Sequence, residues 1–143
     1  VLIKLEKGFP APRFSLPSLQ GDTVQLQDLE GKPVYIGFMN TLGFGSLDEF
    51  SRMDSLYRHF ENRVHFVTVS LDPDKKIIQQ FKTEKQYEWL FLYTGMYSNL
   101  IDEYDLKTLP VFLLLDQKGN IVQYPARKPS ENVSATIENL LNR

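Results

Sequence analysis

Leu106-Lys-Thr-Leu-Pro110-Val-Phe-Leu-Leu-Leu-Asp-Gln-Lys-Gly-Asn120-Ile-Val122 is the stretch on which the reading of this chain turns. Val111 to Leu115 is an uninterrupted apolar run, the pattern of a strand covered on both faces. Asp116 to Asn120 carries turn residues and Ile121 to Tyr124 returns, so the segment predicts an antiparallel hairpin. Pro110 stands immediately ahead of the buried strand.

Working outward, Ser98 to Tyr104 reads as a short helix with Leu100, Ile101 and Tyr104 inward, and Trp89 to Tyr93 as a short strand. Asp72-Pro-Asp74 starts a helix carrying Ile77, Ile78 and Phe81, after a buried strand from Val64 to Leu71. Val34 to Met39 is a further buried strand. Phe50, Met53, Tyr57 and Phe60 then recur at three- and four-residue steps, which predicts a helix of about four turns with one apolar stripe. Ser46 is the expected N-cap, with Asp48 and Glu49 at the positive end of the helix dipole. Ahead of this, Phe14 to Leu16 and Thr23 to Leu26 alternate apolar and polar around Gln20-Gly-Asp22 and predict a β-hairpin. Gln27 to Gly31 reads as one helical turn, and residues 1–12 as a lead-in that Pro10-Ala-Pro12 keeps extended. A last helix starts at about Ser130 and places Val133, Ile137, Leu140 and Leu141 on one face. The order is a hairpin, then β-α-β-α, then a closing β-β-α: an α/β chain with a mixed sheet and helices on both faces.

With 143 residues, 42% hydrophobic, the chain suits one domain spanning 1–143. A net charge of -2 gives no electrostatic reason to expect a nucleic-acid partner. No apolar run approaches the roughly 20 residues needed to span a bilayer. The chain begins at Val1 rather than Met, which reads as processing or as excision from a longer chain. It contains no cysteine, which excludes a disulfide framework, a thiolate metal site and any thiol nucleophile within it. His59 and His65 are isolated, without metal-ligand spacing, so neither a metal site nor a cofactor is expected.

Asn40-Thr-Leu-Gly-Phe-Gly-Ser-Leu-Asp-Glu-Phe50 joins the strand ending at Met39 to the long helix. A dinucleotide-binding turn would require a third glycine where Asp48 stands, and a carboxylate there repels a pyrophosphate. A phosphate-binding Gly-Lys-Ser/Thr is absent too. The spacing of Gly43 and Ser46 is more telling. Redox enzymes place Cys-x-x-Cys at this point, where the helix N-terminus stabilises the first thiolate.

Here the chain resembles the thioredoxin-like superfamily, and within it the TlpA/ResA-type thiol–disulfide oxidoreductases. The resemblance runs over about residues 8–142. Gly8 to Pro12 and Phe14 to Leu19 resemble that group's entry segment, and Leu29 to Lys32 its lead into the active-site strand. Val67 to Asp74 is similar to its second strand and inserted helix, and Leu106 to Val122 to its most specific segment. The resemblance implies a thioredoxin-like fold, an extracytoplasmic (periplasmic) location, and a cis Pro110 facing the active-site turn across a gap.

Carried over by position, the first cysteine is Gly43, the second is Ser46, and the buried acid of thioredoxin falls at Gly37. Without sulfur at 43 or 46 there is neither an attacking nor a resolving thiol, and thiol–disulfide exchange requires a thiolate to attack a disulfide sulfur. A serine hydroxyl is barely ionised at neutral pH and no base is recognisable beside Ser46. The expectation is a redox-inactive domain with no catalytic residue. The resemblance places Leu109 and Pro110, with Leu42 and Phe44 opposite, where a peptide would add by backbone pairing. For Phe44 two readings stand: exposed for recognition, or folded back onto its own domain. Three roles stand for the chain: a peptide or protein recognition module, a partner to a redox cysteine outside the chain, or a purely architectural domain.

Overall fold

The computed structural model describes residues 5–43 and 45–143. Its strands are β1 (Ser15–Pro17), β2 (Thr23–Gln25), β3 (Val34–Met39), β4 (His65–Ser70), β5 (Leu90–Tyr93), β6 (Val111–Leu115) and β7 (Ile121–Gln123). The helices are α1 (Ser46–Phe60), α2 (Lys75–Lys85), α3 (Leu100–Glu103) and α4 (Val133–Leu141). β1 and β2 pair antiparallel as a separate ribbon, and the other five strands form one sheet in the order β5-β4-β3-β6-β7. β3 runs parallel to β4, and β4 to β5, whereas β6 lies antiparallel to both β3 and β7. This is the mixed sheet that the apolar runs and the closing hairpin predict.

The central strand is buried throughout, so its residues sort by parity onto two cores. Ile36 and Phe38 join Val67, Val69, Leu113 and Leu115 on one face, under α3, the β1–β2 ribbon and the 3-10 turn at Leu26–Leu29. Tyr35 and Met39 join Phe66, Phe112 and Leu114 on the other, under α1, α2 and α4. On that second face Tyr35 stacks on Phe112 at 5.3 Å, and Trp89 lies against Tyr87 and Phe91 at 4.6 and 5.1 Å. The aromatic residues thus build the core beneath three helices, as their strand and helix positions predict.

Both sheet edges are covered. At β7 the N-terminal segment pairs through Gly8 N–H to the Ile121 carbonyl and Ile121 N–H to the Phe9 carbonyl, each at 2.8 Å. At β5 the Leu19 N–H donates to the Phe91 carbonyl at 3.2 Å, beside a bridge between Ser18 and Leu92. The Tyr104 hydroxyl donates to the Pro12 carbonyl and fastens the lead-in to the first core. Paired edges leave little template for further strands there.

Element ends move by a few residues. The last helix begins at Val133 rather than Ser130, because Asn132 takes a left-handed φ of 59° and isolates a 3-10 turn at Pro129–Glu131. The second helix starts at Lys75 with Asp74 as N-cap, its side chain accepting from the Lys76 N–H at 2.9 Å. Asp72 therefore has a different task from the helix start the sequence suggests. Among the described residues no helix is long and apolar enough to cross a membrane.

Candidate functional site

β3 ends at Met39, whose carbonyl accepts the Leu71 N–H at 2.9 Å, and α1 begins at Ser46. Gly45 is the N-cap, with a φ of 80° that an L side chain rarely adopts. The expectation that Ser46 caps this helix is corrected. Ser46 is the first helical residue, fully buried, and its hydroxyl makes no hydrogen bond among the described residues. The two carboxylates of the first turn are engaged elsewhere. Asp48 pairs with Arg52 at 2.9 Å, and Glu49 accepts from the N–H and hydroxyl of Ser130 at 2.9 and 2.7 Å.

A Cβ placed on Gly43 would stand 3.0 Å from Ser46 Oγ, 3.2 Å from Asn40 Oδ1 and 4.0 Å from the Leu109 carbonyl oxygen. Asn40 Oδ1 is likewise buried without a hydrogen-bond partner among the described residues. Two orphaned oxygens thus face the point where a side chain on residue 43 would begin. Sulfur hydrogen-bonds weakly and is buried at little cost, whereas an unpaired hydroxyl or amide oxygen is not. The turn thus holds two unpartnered oxygens beside a glycine that has no side chain to meet them.

Across from it the Leu109–Pro110 peptide is cis. The backbone groups of Thr108 and Leu109 make no hydrogen bond within the described residues, since the β3–β6 ladder ends at the pair Phe38–Val111. Between turn and loop lies a cleft of about 380 Å³. Asn40, Leu42 and Gly43 form one wall, Lys107, Thr108 and Leu109 another, and Leu71, Ile101 and Leu106 are among the apolar residues between them. Leu42 and Met96 project from the rim, 70% and 46% exposed. Of the residues the sequence singles out, Leu42, Gly43 and Leu109 meet at this cleft, Ser46 lies beneath it, and Pro110 follows Leu109 without lining it. Phe44 lies outside the described residues.

Asp72 is the participant that sequence reasoning passes over. It is fully buried, and its Oδ1 accepts from both the N–H and the hydroxyl of Thr41, at 2.9 and 2.8 Å. Its Oδ2 accepts from the Ser70 hydroxyl at 2.7 Å, and its carbonyl accepts from Tyr93 at 3.0 Å. Burial, and then the neighbouring Asp74 and Asp72 carboxylates, push the Tyr93 phenol up from its ordinary value, so it stays a donor. The one legible signal was Ser70-x-Asp72 at the end of a buried strand, with Thr41 at the end of its neighbour.

Gly37 is closely packed. A Cβ there would meet Phe112 at 2.7 Å and Met39 Sδ at 2.8 Å. Next to them the Trp89 indole donates to Thr68 Oγ1 at 2.9 Å, whose hydroxyl points to Met39 Sδ at 3.9 Å. No carboxylate fits in that space. Among the described residues no group of three or more His, Asp or Glu side chains gathers that could hold a metal ion.

The sheet order, the turn ahead of α1 and the cleft beside Leu109 and Pro110 define a thioredoxin-like domain of the TlpA/ResA type, without cysteines. Residues 8–124 match the AhpC/TSA family, and the chain belongs to it. The thiol–disulfide oxidoreductase ResA of Bacillus subtilis is 28% identical over 139 residues, 96% of this chain and 76% of that protein. ResA of Halalkalibacterium halodurans is 29% identical over 118 residues, 81% of this chain and 66% of its own length. A Bacteroides vulgatus protein solved in solution superposes with a TM-score of 0.82 at 31% identity, covering 98% of this chain and 94% of that one. The thioredoxin domain of a Bacteroides vulgatus thiol–disulfide oxidoreductase superposes with a TM-score of 0.85 at 20% identity, over 96% of this chain and 99% of that one. At that identity the likeness is one of fold.

Proposed function

We propose that this chain is a redox-inactive recognition module that binds an extended peptide in the cleft between the Asn40–Gly43 turn and the Thr108–Pro110 loop. The observation that carries the reading is the pair of residues Thr108 and Leu109, whose backbone groups are unpaired among the described residues while both sheet edges are covered. A peptide laid against them gains main-chain hydrogen bonds, and the apolar residues of the cleft receive a side chain. The relatives are thiol–disulfide oxidoreductases by name, but the chain has no cysteine with which to perform exchange. Leu42 and Leu109 line the cleft and are assigned to binding, Pro110 sets the turn beside Leu109 without lining it, and Phe44 is a further candidate from the sequence. The same likeness supports an extracytoplasmic location.

The test is an array of short peptides probed with the folded chain and with Leu109→Asp. Binding to a subset of peptides that weakens about tenfold or more in the variant supports the reading. Equal binding by the two proteins, or none by the natural chain, refutes it. A disulfide-exchange assay run in parallel reads no turnover above the protein-free blank.

A further inference from the structure

We propose that Asp72 is the positioning residue of the cleft, and that its carboxylate holds the Asn40–Gly43 wall at the spacing an extended peptide requires; the proposal rests on the peptide reading above. Asp72 touches no ligand. It is fully buried, yet among the described residues no cation stands against it: its oxygens are held by the Thr41 N–H, the Thr41 hydroxyl and the Ser70 hydroxyl, at 2.9, 2.8 and 2.7 Å. A buried carboxylate is kept only where donors replace its water, and here every donor comes from the ends of β3 and β4.

The placement couples the walls of the cleft. Thr41 lies between Asn40 and Leu42, which form one wall, while Leu71 and Pro73, on either side of Asp72, line the cleft as well. Tyr93, from the end of β5, donates to the Asp72 carbonyl, and Gly95, two residues further on, leads into Met96 at the rim. One residue thus ties together the C-terminal ends of three neighbouring parallel strands. At its far end the turn is held by the Ser46 N–H donating to the Gly43 carbonyl at 3.2 Å. Asp72 is the anchor at the near end. A carboxylate suits the position because it offers two acceptor oxygens and no donor, matching a backbone N–H and two hydroxyls that all need an acceptor.

The experiment compares Asp72→Ala, Asp72→Asn and Thr41→Val with the natural chain, at a temperature where circular dichroism shows all of them folded. Two quantities are read: the Kd for the tightest-binding peptide of the array, and the hydrogen-exchange rates of the Thr41, Leu42 and Gly43 amides relative to those of α4. Loss of charge-assisted hydrogen bonds predicts a Kd about tenfold or more weaker in Asp72→Ala. Asp72→Asn, whose amide oxygen still accepts from Thr41, recovers part of the loss, and Thr41→Val falls between. The three turn amides exchange at least about tenfold faster in Asp72→Ala while α4 is unchanged. A lowered melting temperature with an unchanged Kd and unchanged turn exchange means a structural role only, and overturns the proposal. Should the natural chain bind no peptide, the peptide reading fails, and faster turn exchange in Asp72→Ala still upholds the positioning of the wall. Unchanged exchange then overturns that as well. Should Asp72→Ala not fold, Asp72→Asn and Thr41→Val decide by the same two readouts.

Discussion

Ser46 is a buried serine at the start of α1, and its replacement by alanine reports directly on what its hydroxyl costs the fold. The hydroxyl is fully buried and unpartnered among the described residues. Leaving such a group unsatisfied costs about 1–3 kcal/mol. Ser46→Ala removes that cost, and alanine is the better helix former by about half a kcal/mol. Against this stands the packing lost with one atom, roughly half a kcal/mol. The two smaller contributions cancel, leaving a gain of about 1–3 kcal/mol, or at least about 3 °C in melting temperature for a chain of this size. Gly43→Ala is the complementary probe. Its Cβ would lie 3.0 Å from Ser46 Oγ, so the substitution costs about 1 kcal/mol alone and much less when residue 46 is alanine. The double-mutant cycle should show a coupling of about 1 kcal/mol. Urea denaturation followed by fluorescence of Trp89, which is buried, measures all four proteins. A loss of about 1 kcal/mol or more in Ser46→Ala would mean that the hydroxyl has a partner in solution and is not an unsatisfied group.

Three further outcomes are expected. Gly43→Cys with Ser46→Cys should close a disulfide under mild oxidation, because 3.0 Å from a Cβ at 43 to the 46 side-chain atom matches the distance of about 3.0 Å from Cβ to the far sulfur in a disulfide; thiols that still titrate after oxidation would contradict this. Gly37→Ala should destabilise by about 2 kcal/mol through its contacts with Phe112 and Met39, and an unchanged urea midpoint would count against it. Burial, and then Lys32, lower the His65 imidazole below its ordinary value, so the unfolded chain binds that proton more readily than the folded one. Stability is therefore full above about pH 6.5 and falls as the pH drops through the folded value, and His65→Gln should flatten that slope. An identical slope in the variant would remove His65 as its cause.

The sheet was legible because its strands are signalled twice, by apolar runs and by what bounds them. Val34–Met39 and Val111–Leu115 are buried on both faces and tolerate little else, while Asp116 to Asn120 could only be a turn. The strand-to-helix turn was legible for the same reason: Gly43 and Ser46 sit where a buried strand meets a long helix. What the residues do within that site was harder to see. Serine is a good N-cap and Ser46 stands at a helix start, yet the left-handed φ of Gly45 places the cap one residue earlier and turns the hydroxyl inward. Asp72 precedes Pro73 and so reads as part of a helix start, and only three-dimensional placement shows its carboxylate directed at Thr41 instead. Met96 lies in an irregular segment without periodicity, so its place at the rim of the cleft had no sequence signal beyond its being apolar.

Peptide binding in the cleft of a chain without cysteine is the proposal on which the function rests. The most direct measurement is a heteronuclear NMR titration of the cysteine-free chain with the tightest-binding peptide of the array. The predicted result is saturable shift changes confined to Thr41–Gly43, Met96 and Lys107–Leu109, absent in Leu109→Asp. Shifts that fall on another surface, or persist unchanged in Leu109→Asp, would contradict it.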